Sequence, residues 1–277
     1  MRTTHWLMTA MLGLLLSSCA GIDSAPTRSA QTRSAPTSQV QQALAPTGKL
    51  RVGLLLGNST QVVRETASGE IKGVGFDLGK ELARRMGVPF EPVLYPGSIG
   101  ALLDGGKAGK WDVAFIGFTP ERAKEFDFAP VHLEVEFGYL VPAGSSISTM
   151  ADVDRPGVRV ALQEKSGPEF FFTRTLKNAV FVRAPSNPAA LEALKSGKAD
   201  VWGSIKPILF ELSNQLPGSR VLDGRAGVDP HAMAMPKGRD LGHAYARQFI
   251  EDAKSEGLVK AAIERAGVRG VVVAPLK

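Results

Sequence analysis

The sequence predicts an α/β protein built of two similar halves, each with a mixed, mostly parallel sheet flanked by helices. Strand-like apolar runs alternate with amphipathic helical segments over residues 50–122, and the same alternation restarts over residues 158–212. The chain has 277 residues, which is long enough for two lobes of roughly 100 residues each. Two α/β halves in one chain imply a cleft between them.

The first half follows a strand–helix rhythm that begins at Leu50. Its helices are marked by capping residues: Asp77 precedes the first, which stops at Gly87, and Ser98 precedes the second. Predicted strands cover residues 50–56, 89–94 and 113–116, and predicted helices cover residues 78–86 and 99–103; residues 70–74 follow a Ser-Gly turn signal. This order of elements is typical of a doubly wound parallel sheet.

The second half repeats the rhythm after a strand over residues 137–142, in which Gly138 is a candidate crossover between the halves. Predicted strands follow at 158–162, 180–183, 199–202 and 231–235, and predicted helices at 166–177, 188–195, 206–212, 240–253 and 258–266. Open α/β sheets bind ligands beyond the carboxyl ends of their strands. This rule places the cleft at residues 117–122 and 163–167.

The most specific local signal lies between Trp111 and Phe128. Its apolar strand leads to Thr119 as a helix cap and to Pro120 at the first helical position. Arg122 follows in the first turn, where free backbone N–H groups and the helix dipole favour an anion and where a guanidinium group matches a carboxylate. The pattern predicts an anion-binding site formed by the start of the helix and the side chain of Arg122. The alternative is a solvated surface pair between Arg122 and one of Glu121, Glu125 and Asp127.

This succession of strand, glycine, Thr-Pro-Glu-Arg and Phe-Asp-Phe resembles the motif of the bacterial extracellular solute-binding proteins of family 3, which are polar-amino-acid receptors of ABC importers. The resemblance covers residues 48–277. It implies a monomeric receptor that captures an amino acid or a related small carboxylate between two lobes. It further implies an ABC transporter permease as the partner and no cofactor.

The same resemblance implies a two-lobed periplasmic-binding-protein type II fold. In this fold the chain crosses twice between the lobes, here near residues 137–140 and 231–234. Residues 48–137 and 235–277 are then expected to form lobe 1, and residues 138–234 to form lobe 2.

Four positions match the ligand-binding residues of the family. Arg122 matches the arginine that grips the carboxylate of the ligand, and Gly117 matches a residue whose backbone N–H assists. Ser166 and Gly167 match the hydroxyl-rich helix start of the second lobe. Because Ser166 is also a good helix cap, it is expected to serve both roles.

Three family features are missing from this sequence. The aromatic shelf of the first lobe falls on Asn58, and a ligand-binding serine falls on Phe115. The aspartate that pairs with the ammonium group falls near Ile205, between Ser204 and Lys206. We therefore expect Asn58, Phe115 and Ser204 to line the site without supplying the aromatic, hydroxyl and carboxylate contacts that the family makes there.

The missing aspartate matters because a desolvated ammonium group without a counter-charge binds poorly. Either another acid replaces it, or Lys206 makes the pocket doubly cationic and the ligand is a dicarboxylate or an acid without an amine. The candidate acids are Glu134, Glu136 and Glu164. Trp202 is a candidate for an apolar side of the pocket or for the core.

The amino terminus predicts export and lipid attachment. Residues 1–18 have the basic start and the short apolar core of a signal peptide, too short to span a bilayer. The segment ends in Leu16-Ser-Ser-Cys19, which resembles a bacterial lipobox with Cys19 as the lipidated residue. Residues 19–47 are predicted to be a lipid anchor and a disordered tether, which implies a periplasmic or cell-surface protein. The alternative is an ordinary secretory signal with a spare cysteine.

Composition argues against several other classes. The formal charge of +6 is dispersed along the chain, so no nucleic-acid partner is predicted. Cys19 is the only cysteine and the four histidines are scattered, so neither a disulfide nor a metal site is expected.

Two rival functions stay open at this point. Some proteins that resemble this fold are periplasmic dehydratases of cyclohexadienyl acids, whose chemistry needs a cleft carboxylic acid that protonates a leaving hydroxyl group. Glu164 and Glu169 are the candidates for that acid. The other rival is a ligand-sensing domain, which is normally fused to a transmembrane signalling region.

Overall fold

The computed structural model describes residues 36–65 and 68–276. Within these ranges the strands are β1 (Leu50–Leu56), β2 (Val63–Arg64), β3 (Ile71–Lys72), β4 (Phe90–Pro96), β5 (Val113–Gly117), β6 (Phe126–Val141), β7 (Arg159–Gln163), β8 (Val180–Ala184), β9 (Val201–Ile205), β10 (Arg220–Val221), β11 (Gly227–Pro236) and β12 (Val271–Val273). The predicted signal peptide, residues 1–18, and the predicted lipid site at Cys19 lie outside the described residues.

Helices cover both faces of the sheet that most of these strands form. They are α1 (Ser38–Leu44), α2 (Val74–Met86), α3 (Ile99–Lys107), α4 (Pro120–Ala123), α5 (Gly167–Thr175), α6 (Asn187–Lys195), α7 (Lys206–Ser213), α8 (Asp240–Ser255) and α9 (Leu258–Ala266). A short 3₁₀ helix spans Met150–Val153. None of the helices in the described ranges combines the length and the apolar character that a membrane span needs.

The sheet has the order β4-β1-β5-β11-β6-β9-β7-β8. In the first half β1 runs parallel to β4 and β5, and in the second half β7 runs parallel to β8 and β9. Between these parallel groups lie β11 and β6, which are antiparallel to each other and to their outer neighbours. This mixed, mostly parallel sheet with two halves confirms the predicted fold class.

Strand β6 connects the halves because it is 16 residues long. Its residues 126–137 pair with β11, and its residues 137–140 pair with β9. Residues 137–140, where the first crossing is predicted, are thus the part of β6 that pairs with β9. His231–Ala234, where the second crossing is predicted, pair in register with β5 of the first half. The lobe boundaries themselves stay a prediction.

One detail of the two halves repeats closely. Asp112, which directly precedes β5, accepts hydrogen bonds from Arg51 N at 3.0 Å and from Arg51 Nη2 at 2.8 Å. Asp200, which directly precedes β9, accepts the same two bonds from Arg159, at 2.9 and 2.6 Å. Each aspartate thus ties the start of one parallel strand to the start of the next.

The N-terminal part of the domain differs from the prediction. Within the predicted tether, Thr37 caps helix α1, and Leu44 is fully buried. Gln41 Nε2 donates to the carbonyl of Met86 at 2.6 Å, and Gly242 of α8 leaves room for Leu44. The prediction failed here because a helix this short is ordered by its tertiary contacts rather than by its composition.

Helix α2 also starts earlier than its predicted cap. It begins at Val74 after Gly73, whose φ of 153° and close approach to the carbonyl of Gln61 require glycine. Asp77 lies inside the helix instead and forms an ion pair with Arg265.

Candidate functional site

Arg122 lies where the sequence predicts it, directly after the end of β5. Thr119 Oγ1 accepts a hydrogen bond from Arg122 N at 3.2 Å, and Pro120 occupies the first helical position. The cap and the proline begin a helix of only four residues, which holds the Arg122 side chain against the end of the sheet. Arg122 is only 5% exposed.

The guanidinium group of Arg122 is only partly satisfied. Its Nη1 donates to the carbonyl of Gly117 at 2.7 Å, and its Nη2 donates to the carbonyl of Lys165 at 2.8 Å. Its Nε is buried and has no hydrogen-bond partner within residues 36–65 and 68–276. Because a guanidinium group carries about five N–H donors, about three are left for an anion.

Burial lowers the pKa of Arg122, and the negative charges of Asp229 and Glu121 oppose this shift. A cation this deeply buried is costly unless an anion or strong acceptors compensate for the lost water. The predicted alternative, in which Arg122 forms a surface ion pair with one of three nearby acids, is wrong, because each acid pairs with another residue. Glu121 pairs with Arg174, Glu125 with Lys107 and Asp127 with Lys237.

Ser166 begins the opposite wall as the cap of α5. Its Oγ accepts from Glu169 N at 3.1 Å and donates to the carbonyl of Gln163 at 2.6 Å. The residue before it, Lys165, has a φ of 59°, a left-handed conformation that is unusual for a residue with a side chain. The carbonyl of this residue is the one that Arg122 contacts from the first half.

A pocket lies between these two walls, and six of the seven ligand-binding residues expected from the sequence line it. They are Asn58, Gly117, Arg122, Ser166, Gly167 and Ser204. The seventh, Phe115, lies outside the pocket, fully buried and packed edge-on against His132 with 5.4 Å between ring centroids. Trp202 is likewise fully buried and does not line the pocket, so it belongs to the core.

The structure also brings Asp229 and His231 of β11 into this pocket, and sequence reasoning missed both. Asp229 Oδ2 lies 3.1 Å from His231 Nε2, and the two residues are 5% and 3% exposed. Gln61 lines the pocket as well, with its Oε1 accepting from Leu55 N at 2.7 Å. The signal that could have found Asp229 is a charged residue next to the start of an otherwise apolar strand.

The acids and the lysine expected to decide the pocket charge lie elsewhere. Lys206 Nζ pairs with Glu136 at 2.8 Å, and neither residue lines the pocket. Glu134 and Glu164 do not line it either. The pocket therefore holds one arginine and one aspartate rather than two cations.

Several contacts join the two walls directly. Gln163 Nε2 donates to the carbonyl of Gly97 at 3.1 Å, and Ser59 N donates to Glu211 Oε1 at 3.1 Å. Burial raises the pKa of Glu211, and the hydrogen bond from Ser59 opposes the shift. The cavity left inside is about 40 Å³.

A comparison with known protein families gives one match that covers most of the chain. Residues 50–266 match the bacterial extracellular solute-binding proteins of family 3. The chain belongs to this family. The resemblance that the sequence motif predicts is thereby confirmed, and the protein is a solute-binding protein.

Individual relatives of this solute-binding protein are distant in sequence. The ABC transporter glutamine-binding protein GlnH of Bacillus subtilis is 24% identical over 208 residues, which is 70% of this chain and 72% of the relative. An amino acid ABC transporter substrate-binding protein of Streptococcus pneumoniae, solved bound to L-arginine, is 26% identical, with a TM-score of 0.68 over 81% of this chain and 97% of that one.

A second similar structure bears on the enzyme alternative. It is the ancestral amino acid-binding protein AncCDT-1, a precursor of cyclohexadienyl dehydratase, with 24% identity and a TM-score of 0.68 over 82% of this chain and 99% of that one. At this identity the likeness concerns the fold alone. In the present solute-binding protein neither Glu164 nor Glu169 lines the pocket, and Glu169 instead bonds to Arg183 and to the backbone of Lys165.

Proposed function

We propose that this solute-binding protein captures an amino acid or a related small carboxylate and delivers it to the permease of an ABC importer. The observation that carries the proposal is the buried Arg122 guanidinium at the pocket, with N–H donors left over for a carboxylate. Support comes from the relatives, which include a glutamine-binding protein of an ABC transporter and a receptor bound to L-arginine. We propose binding rather than catalysis, because these relatives are binding proteins and because neither Glu164 nor Glu169, the acids expected for dehydration, lines the pocket.

The ligand enters by opening of the two lobes. A cavity of about 40 Å³ is far smaller than the roughly 300–1,000 Å³ of typical ligand pockets, so the walls must separate to admit an amino acid. We place the lobe boundaries at the two crossings, one near residues 137–140 and the other before His231. In this arrangement Arg122 and Gln163 reach across from opposite lobes to the carbonyls of Lys165 and Gly97.

A ligand screen on the purified full chain tests this function. An amino acid at about 100 times its dissociation constant should stabilise the protein by about 2.7 kcal/mol, which a thermal-shift assay detects readily. The same amino acid should lower the radius of gyration in solution scattering as the lobes close. The proposal would be refuted if no standard L-amino acid, dicarboxylate or aromatic acid bound the protein or raised its melting temperature. An unchanged radius of gyration on binding would refute lobe closure.

We also propose that the domain is exported and held at a membrane by lipid on Cys19. The family is extracellular, which supports export to the periplasm or the cell surface. The lipobox-like sequence before Cys19 supports the anchor. Cys19→Ser and the signal-peptidase inhibitor globomycin should each block processing and change membrane attachment. Normal cleavage and release under both treatments would mean an ordinary secretory signal.

A further inference from the structure

We infer that Asp229 is the counter-ion for an ammonium group of the ligand, supplied by a strand other than the one that carries this aspartate in the family. This inference rests on the proposed function and adds the chemical class of the ligand, a zwitterion with an amine beside its carboxylate. The motif position of the family's aspartate falls near Ile205, which is apolar. Asp229 instead comes from β11, where the chain crosses between the halves.

In the carboxylate of Asp229, which is a buried residue, only one of the two oxygens has a hydrogen-bond partner within the described ranges. Its side chain is 7% exposed, and Oδ2 meets His231 Nε2 at 3.1 Å. Oδ1 has no hydrogen-bond partner among the residues that the structure describes. A carboxylate oxygen in a largely desolvated pocket gains from a charge-assisted hydrogen bond, so a donor from the ligand at Oδ1 is stabilising.

Asp229 lies against a glycine of each wall. A methyl group on Gly117 would lie 2.7 Å from Asp229 Oδ1, and one on Gly167 would lie 2.8 Å from Oδ2. Neither position tolerates a side chain while the carboxylate stays in place. The two glycines therefore leave space for the aspartate, a reason beyond the backbone contact that the family motif assigns to Gly117.

The pocket carries charges of both signs. Arg122 and Asp229 line the same small cavity and attract each other electrostatically, yet they form no direct ion pair in the described chain. A cation and an anion held apart across one desolvated cavity complement a molecule that carries a carboxylate and an ammonium group on neighbouring atoms. A dicarboxylate would instead place its second charge against Asp229, so such ligands are disfavoured.

The test compares matched ligands in matched variants. The full chain is titrated by calorimetry with the standard L-amino acids, and the tightest binder is paired with the same molecule carrying hydrogen in place of the α-amino group. For glutamine this probe is glutaramate. Wild type should prefer the amino acid by at least roughly tenfold, and Asp229→Asn should abolish the preference while it leaves the affinity for the amine-free probe unchanged or higher.

The outcomes separate this inference from the proposed function. An unchanged preference in Asp229→Asn, or an equal loss for both probes, would overturn the counter-ion while the receptor function stands. Equal binding of both probes by wild type would do the same. If no standard amino acid binds wild type but a dicarboxylate or an aromatic acid does, the counter-ion is overturned and the receptor function stands. If none of these ligands binds, both are overturned.

A second pair of variants covers the case in which Asp229→Asn does not fold. Gly167→Ala places a methyl group against Asp229 and should reduce the preference for the amine, because the carboxylate must move. Gly100→Ala in α3 is the control: its added methyl group meets nothing closer than Lys165 Cδ at 3.5 Å, so the preference should stay at the wild-type value. Equal preferences in both folded variants would contradict the inference.

Discussion

Replacing Arg122 with alanine should weaken ligand binding by at least roughly tenfold, because truncating one partner of a desolvated charge pair costs about 2–5 kcal/mol. Arg122→Lys keeps the charge but loses the planar fork, so its affinity should fall between those of wild type and Arg122→Ala. Calorimetry with the amino acid from the screen measures all three proteins after circular dichroism has shown that each is folded.

Arg174→Ala is the matched control for this prediction. Like Arg122, Arg174 forms a contact between the two walls, through its ion pair with Glu121, but its side chain is 59% exposed and it does not line the ligand pocket. If Arg122 acted only by holding the walls together, the two alanine variants should behave alike. Wild-type affinity in folded Arg122→Ala would mean that the carboxylate is bound elsewhere and that the site is misplaced.

The position of Arg122 was predictable because the signals that set it are local. A helix cap, a proline at the first helical position and the end of an apolar strand lie within a few residues of one another, and each acts through backbone geometry. The same holds for Ser166 at the start of α5, whose capping bond forms three residues along the chain. Local signals of this kind are reliable because they do not depend on how distant segments of the chain pack.

Asp229 was missed for a physical reason that concerns its neighbour. Pro230 has no backbone N–H, so a proline inside a sequence pattern argues against a strand, and the predicted strand began one residue later. In the structure the carbonyl of Pro230 still accepts a bond from Phe118 N at 2.6 Å, and β11 starts at Gly227. The strand therefore extends past the proline and brings Asp229 to the wall of the pocket.

Which residues face each other across the pocket was not readable from the sequence at all. Glu136 and Lys206 are 70 positions apart, and their ion pair removes both from the list of candidate pocket charges. Phe115 takes the motif position of a ligand-binding serine, but a large apolar ring gains more from the core, where it packs against His132 and Gly75. Such outcomes depend on packing between distant segments, which periodicity does not encode.

The largest expected effect on stability comes from Asp112, one of the two aspartates, Asp112 and Asp200, that connect the starts of neighbouring parallel strands. Asp112→Ala should lower the free energy of unfolding by about 3–5 kcal/mol, because it leaves two partly buried arginines without their fully buried partner. The Asp112 side chain is fully buried, and besides Arg51 it accepts a bond from Arg239 Nη1 at 3.3 Å. The arginine side chains are only 18% and 19% exposed, so water replaces little of the lost interaction.

Asp200→Ala is the control that the chain itself provides, because Asp200 makes the same bonds to Arg159 in the second half. Its side chain is 37% exposed and that of Arg159 is 42% exposed, so water solvates the arginine once the carboxylate is gone. Urea unfolding of both variants, with unchanged m-values, should give a clearly smaller loss for Asp200→Ala than for Asp112→Ala. The two sites share the geometry of their hydrogen bonds and differ in burial. Equal losses in the free energy of unfolding would therefore contradict the role assigned to burial.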